Sequence, residues 1–447
     1  MKLNRVILTS AQLLGAMAQN NVTNETMFPL STDDEFSFIL GEVLSLSNNF
    51  GANTGEVLRA ASQITPGDFE SWYAEFNYLA EQIEAQGDSS SSPVAQMEAY
   101  FRAASYYRAA GFFLLHDITD PRIYSLWDSQ LEDFAKAIDL LPFPGEKTTV
   151  QGPNFTIPVY FYPADTYCSP SKKAKGTCVD STKLPTIVAC SGYDGSQEEL
   201  WHSMGREITA RGWNFVTYEG PGQPAVRRDQ GIGFIPNWWD VVTPVVDYLE
   251  TRDDVDTSKL VLHGQSFGVI LTVRAAAVDP RFAAVTLVDG LYNLQDIILE
   301  EFPTKLVQYF EAGNETAFNA YTRAIYNSGL APSDFKWVVD QGLWSFDTDS
   351  YYDWLAQLGN YTIEGYAQDL TVPVFVAGGS NDTLVLGQAP ATAAMIGSEA
   401  TFHLFEAVVG AGEHCQIGAE SQLALTMFDW LADVLAGAIV SNATTKN

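Results

Sequence analysis

Basic residues are scarce in this chain: 24 Lys and Arg stand against 55 Asp and Glu, a formal charge of −31. So acidic a surface repels phosphate backbones and anionic headgroups. It excludes nucleic acid and anionic membranes as partners and leaves neutral or cationic small molecules. Long apolar runs are missing as well. No stretch reaches the roughly 18 uninterrupted apolar residues of a membrane span. The 4 cysteines form no C-x-x-C pair, which argues against a zinc site, so neither metal nor cofactor is expected. Histidine is down to 5, which leaves few candidates for any site that needs an imidazole. There is no internal repeat, and the pattern leaves a homo-oligomer open.

What the N-terminus does contain is Lys2 and Arg5, a mostly apolar run from Val6 to Leu14, and Ala16-Met17-Ala18 before Gln19. This reads as a secretory signal peptide over 1–18. N-x-S/T sequons at Asn21, Asn24, Asn154, Asn314, Asn360, Asn381 and Asn442 agree with a secreted or secretory-pathway protein. Cys168 and Cys178 flank a polar loop and suit a local disulfide there, whereas Cys190 and Cys415 read as buried thiols. A cytoplasmic protein is the reading if 1–18 is not a signal.

With 447 residues and 46% hydrophobic content, the chain can bury a large core. From 33 to 141 the pattern is helical. Capping residues at Ser31/Thr32/Asp33, Asp68 and Ser92-Pro93 open three segments, and a fourth runs from Asp120 to Leu141. From 142 to 440 strands and helices alternate. Thr148–Val150 and Thr156–Tyr162 form an antiparallel pair; apolar runs at Thr186–Cys190, Asn214–Tyr218, Lys259–Leu262, Ala284–Val288, Val372–Gly378 and Thr401–Phe405 follow. A terminal helix is expected from about Ala419 to Ala436. Alternation of this kind implies a mostly parallel sheet wound on both faces. An aromatic-rich helical stretch at 292–361 interrupts it. The domains read are therefore an N-terminal helical cap (33–141) and an α/β domain (142–440) with a lid insertion (292–361).

Within that alternation, Gly264-Gln265-Ser266-Phe267-Gly268 joins an apolar strand to the helix-compatible run Val269–Val278. Strand, G-x-S-x-G and helix together make a nucleophile elbow, the turn that lifts a serine hydroxyl to the carboxyl edge of a sheet. A serine nucleophile needs a base and a group to orient it, in the order Ser, acid, His for this fold class. Only His403 and His414 lie downstream. His403 sits in a strand-like run; His414 sits in Gly410-Ala411-Gly412-Glu413-His414-Cys415, a glycine-bearing loop after the last strand, and is the candidate base. Asp382, directly after the strand ending at Gly378, is the candidate acid, with Asp289 after Ala284–Val288 as the alternative. The oxyanion donors should be the N–H of Phe267 and one from the loop after Cys190, on Tyr193 or Asp194. The turn Glu219-Gly220-Pro221-Gly222-Gln223 reads as rigid support at the same edge. Tyr193, Trp238 and Trp239 are candidates to line the substrate cleft.

Ser-Gly-Tyr-Asp-Gly-Ser-Gln-Glu-Glu (191–199), Glu-Gly-Pro-Gly-Gln (219–223), Val-Val-Thr-Pro-Val-Val-Asp-Tyr-Leu (241–249), Gly-Gln-Ser-Phe-Gly (264–268) and Gly-Ala-Gly-Glu-His-Cys (410–415) form a set. With Arg102-Ala103-Ala104-Ser105-Tyr106-Tyr107-Arg108-Ala109-Ala110 they resemble the α/β-hydrolases related to 2,6-dihydroxypseudooxynicotine hydrolase and the fermentation-respiration-switch proteins. The resemblance spans roughly 33–435. It implies the α/β-hydrolase fold, triad roles for Ser266, Asp382 and His414, and, from the fungal members, a polyketide or polyketide-peptide substrate cleaved or rearranged at a carbonyl. The sequence departs at Pro224 and at Asn237-Trp238-Trp239. A general secreted carboxylesterase and a catalytically silent binding protein of the same fold are the alternatives.

Overall fold

The alternating apolar runs assemble one eight-stranded sheet in the order β1-β2-β4-β3-β5-β6-β7-β8. Its strands are β1 (Glu146–Gln151), β2 (Thr156–Tyr162), β3 (Leu184–Cys190), β4 (Asn214–Tyr218), β5 (Val255–Gln265), β6 (Ala284–Val288), β7 (Val374–Gly379) and β8 (Ala400–Phe405). β2 runs antiparallel to β1 and β4; the other neighbours are parallel. The computed structural model describes residues 27–165, 183–385 and 387–441. The signal-peptide reading over 1–18, the sequons at Asn21, Asn24 and Asn442, and Cys168 with Cys178 lie outside the described residues.

Among the described residues, five α-helices precede the sheet: α1 (Asp34–Ser45), α2 (Thr54–Ala61), α3 (Phe69–Ser89), α4 (Pro93–Gly111) and α5 (Arg122–Asp139). The capping residues read from sequence do cap. Asp33 accepts from Phe36 N–H, Asp68 from Glu70 and Ser71 N–H, and Ser92 from Ala95 N–H with Pro93 inside the first turn. The short α2 has no side-chain cap to announce it. These helices share an aromatic core: Trp72 lies 4.9 Å from Phe36 and from Phe76 and 5.0 Å edge-on from Phe113, and its Nε1 donates to Ala109 O at 2.7 Å.

The central strands are buried on both faces, which is why they read as unbroken apolar runs. Side chains alternate between two cores: Val188, Cys190, Leu260 and Leu262 on one face, Ile187, Ala189 and Val261 on the other. Between strands run α6 (Arg206–Ala210), α7 (Pro224–Gln230), α8 (Trp239–Glu250) and α9 (Gly268–Val278). Pro224 opens α7, a position where its missing N–H costs no hydrogen bond. The chain is helical without a gap from 199 to 210, with a π-helical segment at Trp201–Gly205 leading into the short α6. The stretch after β6 forms α10 (Leu294–Glu301), α11 (Thr304–Glu311), α12 (Glu315–Tyr326), α13 (Ser333–Ser345) and α14 (Tyr351–Leu358); α15 (Gln388–Ile396) and α16 (Glu420–Leu435) complete the chain. None of the described helices is long and apolar enough to cross a membrane.

The two helical stretches meet over the sheet. The rings of Phe112, just after α4, and Trp337 on α13 stack 5.6 Å apart, Ser333 Oγ donates to Asp33 Oδ2 at 2.6 Å, and Trp344 joins the core of α1–α4.

Candidate active site

β5 delivers Ser266 into a left-handed backbone conformation, φ +56°, before α9 begins. Such a residue is strained and persists only where its surroundings hold it. Here Ser266 N–H donates to Val288 O on β6 at 3.0 Å and Ser266 O accepts from Val269 N–H at 2.9 Å. The flanking glycines are sterically required. A Cβ on Gly264 would come within 2.3 Å of Thr272 Oγ1, and one on Gly268 within 2.6 Å of Ser191 O. The N-terminus of α9 stands behind the hydroxyl and favours negative charge there.

Two loops bring the other residues to it. Asp382 follows β7, and His414 follows β8 at the start of a turn in which Cys415 and Gln416 are also left-handed. His414 Nε2 lies 2.9 Å from Ser266 Oγ and Nδ1 lies 2.9 Å from Asp382 Oδ2. With its proton on Nδ1, the ring donates to the carboxylate and accepts from the hydroxyl. Asp382 Oδ1 accepts from the Leu384 and Val385 N–H groups at 3.0 and 3.1 Å. Burial pushes the Asp382 carboxyl up, but His414 and these amides more than offset it, so its pKa falls below the ordinary value. Burial opposes charge on His414, yet Asp382 and Cys415 beside it push the imidazole well above its ordinary value. The loops are tied to each other: Asn381 N–H donates to Gly412 O, and Asn381 Nδ2 donates to Glu413 Oε1, both at 2.9 Å. That Nδ2 is the atom a glycan on this sequon would occupy.

Asp289, the alternative acid, is also present. It is wholly buried, and its Oδ2 stands 3.4 Å from His414 Nδ1. The same oxygen accepts from Cys415 N–H, and Oδ1 accepts from Gln416 Nε2 at 3.1 Å. Burial pushes it up to about 7, with His414 opposing and Asp382 adding. Asp289 thus supports the strained turn behind the imidazole. Ligand-capable atoms of Asp289, His414 and Cys415 lie within 4.8 Å of one another. Their lone pairs and protons are already engaged: the imidazole by Ser266 and Asp382, Asp289 by the turn, and the Cys415 thiol held protonated, its pKa pushed up to about 12 chiefly by burial.

The chain is similar to known proteins. Hydrolase acrC of Aspergillus aculeatus is 29% identical over 434 residues, 91% of this chain and 97% of its own. 20-hydroxy-prefusarin hydrolase FUS2 of Gibberella moniliformis is 27% identical over 431 residues, 92% and 99%. Hydrolyase poxO of Penicillium oxalicum is 30% identical over 363 residues, 77% of this chain and 82% of its own. The chain belongs to this family of fungal hydrolases of secondary metabolism. Its α/β-hydrolase fold is shared with solved structures: 2,6-dihydroxy-pseudo-oxynicotine hydrolase at a TM-score of 0.63 and 17% identity, over 89% of this chain and 98% of that one, and AbyA5 at 0.61 and 15%, over 91% and 94%. No protein-family model matches the chain.

The loop after β3 brings the hydrolase's Tyr193 region to the serine. A Cβ on Gly192 would sit 2.9 Å from Ser266 Cβ and 3.1 Å from Phe267 N, so the missing side chain keeps a space open beside both. Among the described residues, neither the Phe267 nor the Tyr193 amide N–H meets an acceptor in the protein. Asp194 turns toward α4, where its carbonyl accepts from Arg108 Nη2 at 3.0 Å and its carboxylate lies 3.6 Å from the same guanidinium.

The cleft-lining candidates fare differently. Tyr193 is buried, its hydroxyl donating to Val338 O and accepting from Trp354 Nε1, each at 3.0 Å, so its ring anchors the loop to α13 and α14. Trp238 is a correction: it is fully buried against the Gly220 turn with Nε1 donating to Tyr218 Oη at 3.3 Å, and belongs to the core. Trp239 is half-buried against Tyr366, with ring centroids 6.1 Å apart. His403 lies exposed on the edge strand β8, against Phe405. The rings that do crowd Phe267 are Tyr193, Phe234, Phe346 and Tyr361, at 6.1, 5.2, 6.4 and 5.3 Å. Sequence reading passed over Phe234, Phe346 and Tyr361, because a buried aromatic carries no local mark of which site it borders.

Proposed function

We propose that this family member is a serine hydrolase in which Ser266, His414 and Asp382 act as nucleophile, base and orienting acid on a carbonyl carbon of a polyketide or polyketide-peptide type substrate. The observation that carries the reading is the imidazole held between the Ser266 hydroxyl and the Asp382 carboxylate at 2.9 Å on each side. In this reading Ser266 Oγ attacks the carbonyl as His414 Nε2 takes its proton, and Asp382 stabilises the imidazolium. The oxyanion accepts from Phe267 N–H and Tyr193 N–H. Tyr193 is favoured over Asp194 because Asp194 is drawn toward α4, its carbonyl and carboxylate both held at Arg108. His414 then protonates the leaving group, which for a β-dicarbonyl substrate is an enolate, and water hydrolyses the acyl-enzyme.

The bulky-substrate part of the reading is supported by the aromatic rings around Phe267 and by a relative named for 20-hydroxy-prefusarin. The test is twofold. A fluorophosphonate should label Ser266, which separates an enzyme from a silent binding protein. Then kcat/KM for p-nitrophenyl acetate is compared with that for a polyketide carrying a β-dicarbonyl. A wide margin for the short ester replaces this reading with a general carboxylesterase. Export through the secretory route also stays a proposal, supported by exposed sequons at Asn154, Asn314 and Asn360 and tested by the intact mass of protein from its native host.

A further inference from the structure

The loop from Ser191 to Gly195 has an unusual set of partners. Its carbonyls are taken by side chains from separate elements. Ser191 O accepts from Gln223 Nε2 at the head of α7, Tyr193 O from Gln341 Nε2 on α13, and Asp194 O from Arg108 Nη2 on α4, each at 3.0 Å. Gly195 O accepts from Ser191 Oγ within the loop. Arg108 is braced in turn: its Nε donates to Glu199 Oε2 at 3.3 Å, and that oxygen accepts from Ser196 N–H at 2.8 Å, closing a ring back to the loop. Gln341 is buried and also donates to Ser345 Oγ at 2.8 Å.

A peptide group is planar and trans, so its C=O and N–H point in opposite directions. Pinning the carbonyls of Ser191, Tyr193 and Asp194 therefore fixes the N–H directions of Gly192, Asp194 and Gly195. The Tyr193 N–H lies between two fixed peptide planes. We propose that Arg108 and Gln341 are positioning residues through which the two covering helical stretches aim the Tyr193 N–H at the oxyanion. The inference rests on the serine-hydrolase reading above. An oxyanion donor acts only within a few tenths of an ångström of its place, so loosening the loop weakens the transition state more than the bound substrate.

The probe is a fluorophosphonate, whose phosphoryl oxygen occupies the oxyanion position in the adduct on Ser266. Arg108→Ala and Gln341→Leu should each slow labelling by about 10- to 100-fold while the protein still melts cooperatively. Arg108→Lys should fall between Arg108→Ala and the wild type, and added guanidinium should partly restore Arg108→Ala. Arg59→Ala, on α2 and paired with Glu75 away from the loop, should label at the wild-type rate. Folded Arg108→Ala and Gln341→Leu that label within about twofold of wild type overturn the inference while leaving the nucleophile assignment standing. Should Arg108→Ala fail to fold, Arg108→Lys and Gln341→Leu decide by the same criterion. Labelling that survives Ser266→Ala overturns the nucleophile reading itself, and this inference with it.

Discussion

The carboxyl edge of the sheet and the helical stretch α1–α5 hold their geometry in opposite ways. Six non-glycine residues among those described have left-handed backbones, and four of them, Ser266, Asp289, Cys415 and Gln416, converge on His414. In the helical stretch there is one, Phe50. The edge stores strain and holds it with hydrogen bonds from neighbouring loops; the helical stretch relaxes into side-chain caps on α1, α3 and α4 and into interlocked aromatic rings. Strain at that edge is what a preorganised site requires, because side chains must stand where the reaction needs them before substrate arrives. The helices need only shape and burial. Substitutions at the edge should therefore cost activity with little stability, and substitutions in the helices the reverse.

The largest effect expected is from Ser266→Ala, which should lower turnover by about 10⁴- to 10⁶-fold with Tm nearly unchanged. His414→Ala should be almost as severe, and the double variant no worse than either alone, since the groups act as a unit. More than a tenth of the activity left in Ser266→Ala would break the contrast between the two regions at its root.

Next come the two carboxylates. Asp382→Asn should cost about 10³- to 10⁴-fold in kcat, as loss of the tautomer-fixing acid does elsewhere. Asp289→Asn keeps an oxygen for the Cys415 amide and should cost about tenfold or less. The reverse ranking would exchange their roles, with Asp289 the acid and Asp382 the support.

That pair marks how far the sequence could be read. The elbow was legible because strand, glycines and helix lie within one short stretch, and because Gly264 and Gly268 answer to collisions inside it. That the loops carrying His414 and Asp382 meet at Ser266 was legible because chain order in a wound sheet decides which loops meet. Sequence alone left Asp289 beside Asp382, and the structure puts both within reach of Nδ1. Arg108 and Gln341 were not legible: their bonds to the loop span 86 and 148 residues, and no local pattern registers a contact at that range. Trp238 misled for a related reason. An aromatic near the edge in sequence is as often beneath the turn as beside the cleft, and tertiary packing decides.

In the helices the prediction inverts. Trp72→Ala removes a ring packed on Phe36, Phe76 and Phe113 and a donor to Ala109 O. It should cost about 3–5 kcal/mol of stability. Measured well below the new Tm, fluorophosphonate labelling should stay within about threefold of wild type. A labelling loss of 100-fold without loss of stability would mean that the helices carry catalytic geometry throughout, not only through Arg108.

The smallest effect is on pH, and it draws on both regions. Burial raises Glu219 and Asp289 at the edge to about 8 and about 7, and Glu42 on α1 to about 8. Burial lowers His202 and His263 to about 4 and about 3. A carboxyl raised on folding binds more protons in the native state, so its contribution is complete below its unfolded pKa and is lost as pH rises through the folded one. A histidine lowered on folding has the opposite sign, and its effect ends near its unfolded pKa of about 6.5. Below that pH the two sets oppose each other. Above it the raised carboxyls and the raised His414 imidazole act in the same direction, so stability should fall steadily from about pH 6.5 to about pH 8, by about 2–4 kcal/mol. In Tm that is a few degrees. Glu42→Gln should remove about a third of the fall if the helical stretch contributes as these directions imply. A Tm that rises over this window would show that these carboxyls are ionised in the native protein and that hydrogen bonds, not burial, govern both regions.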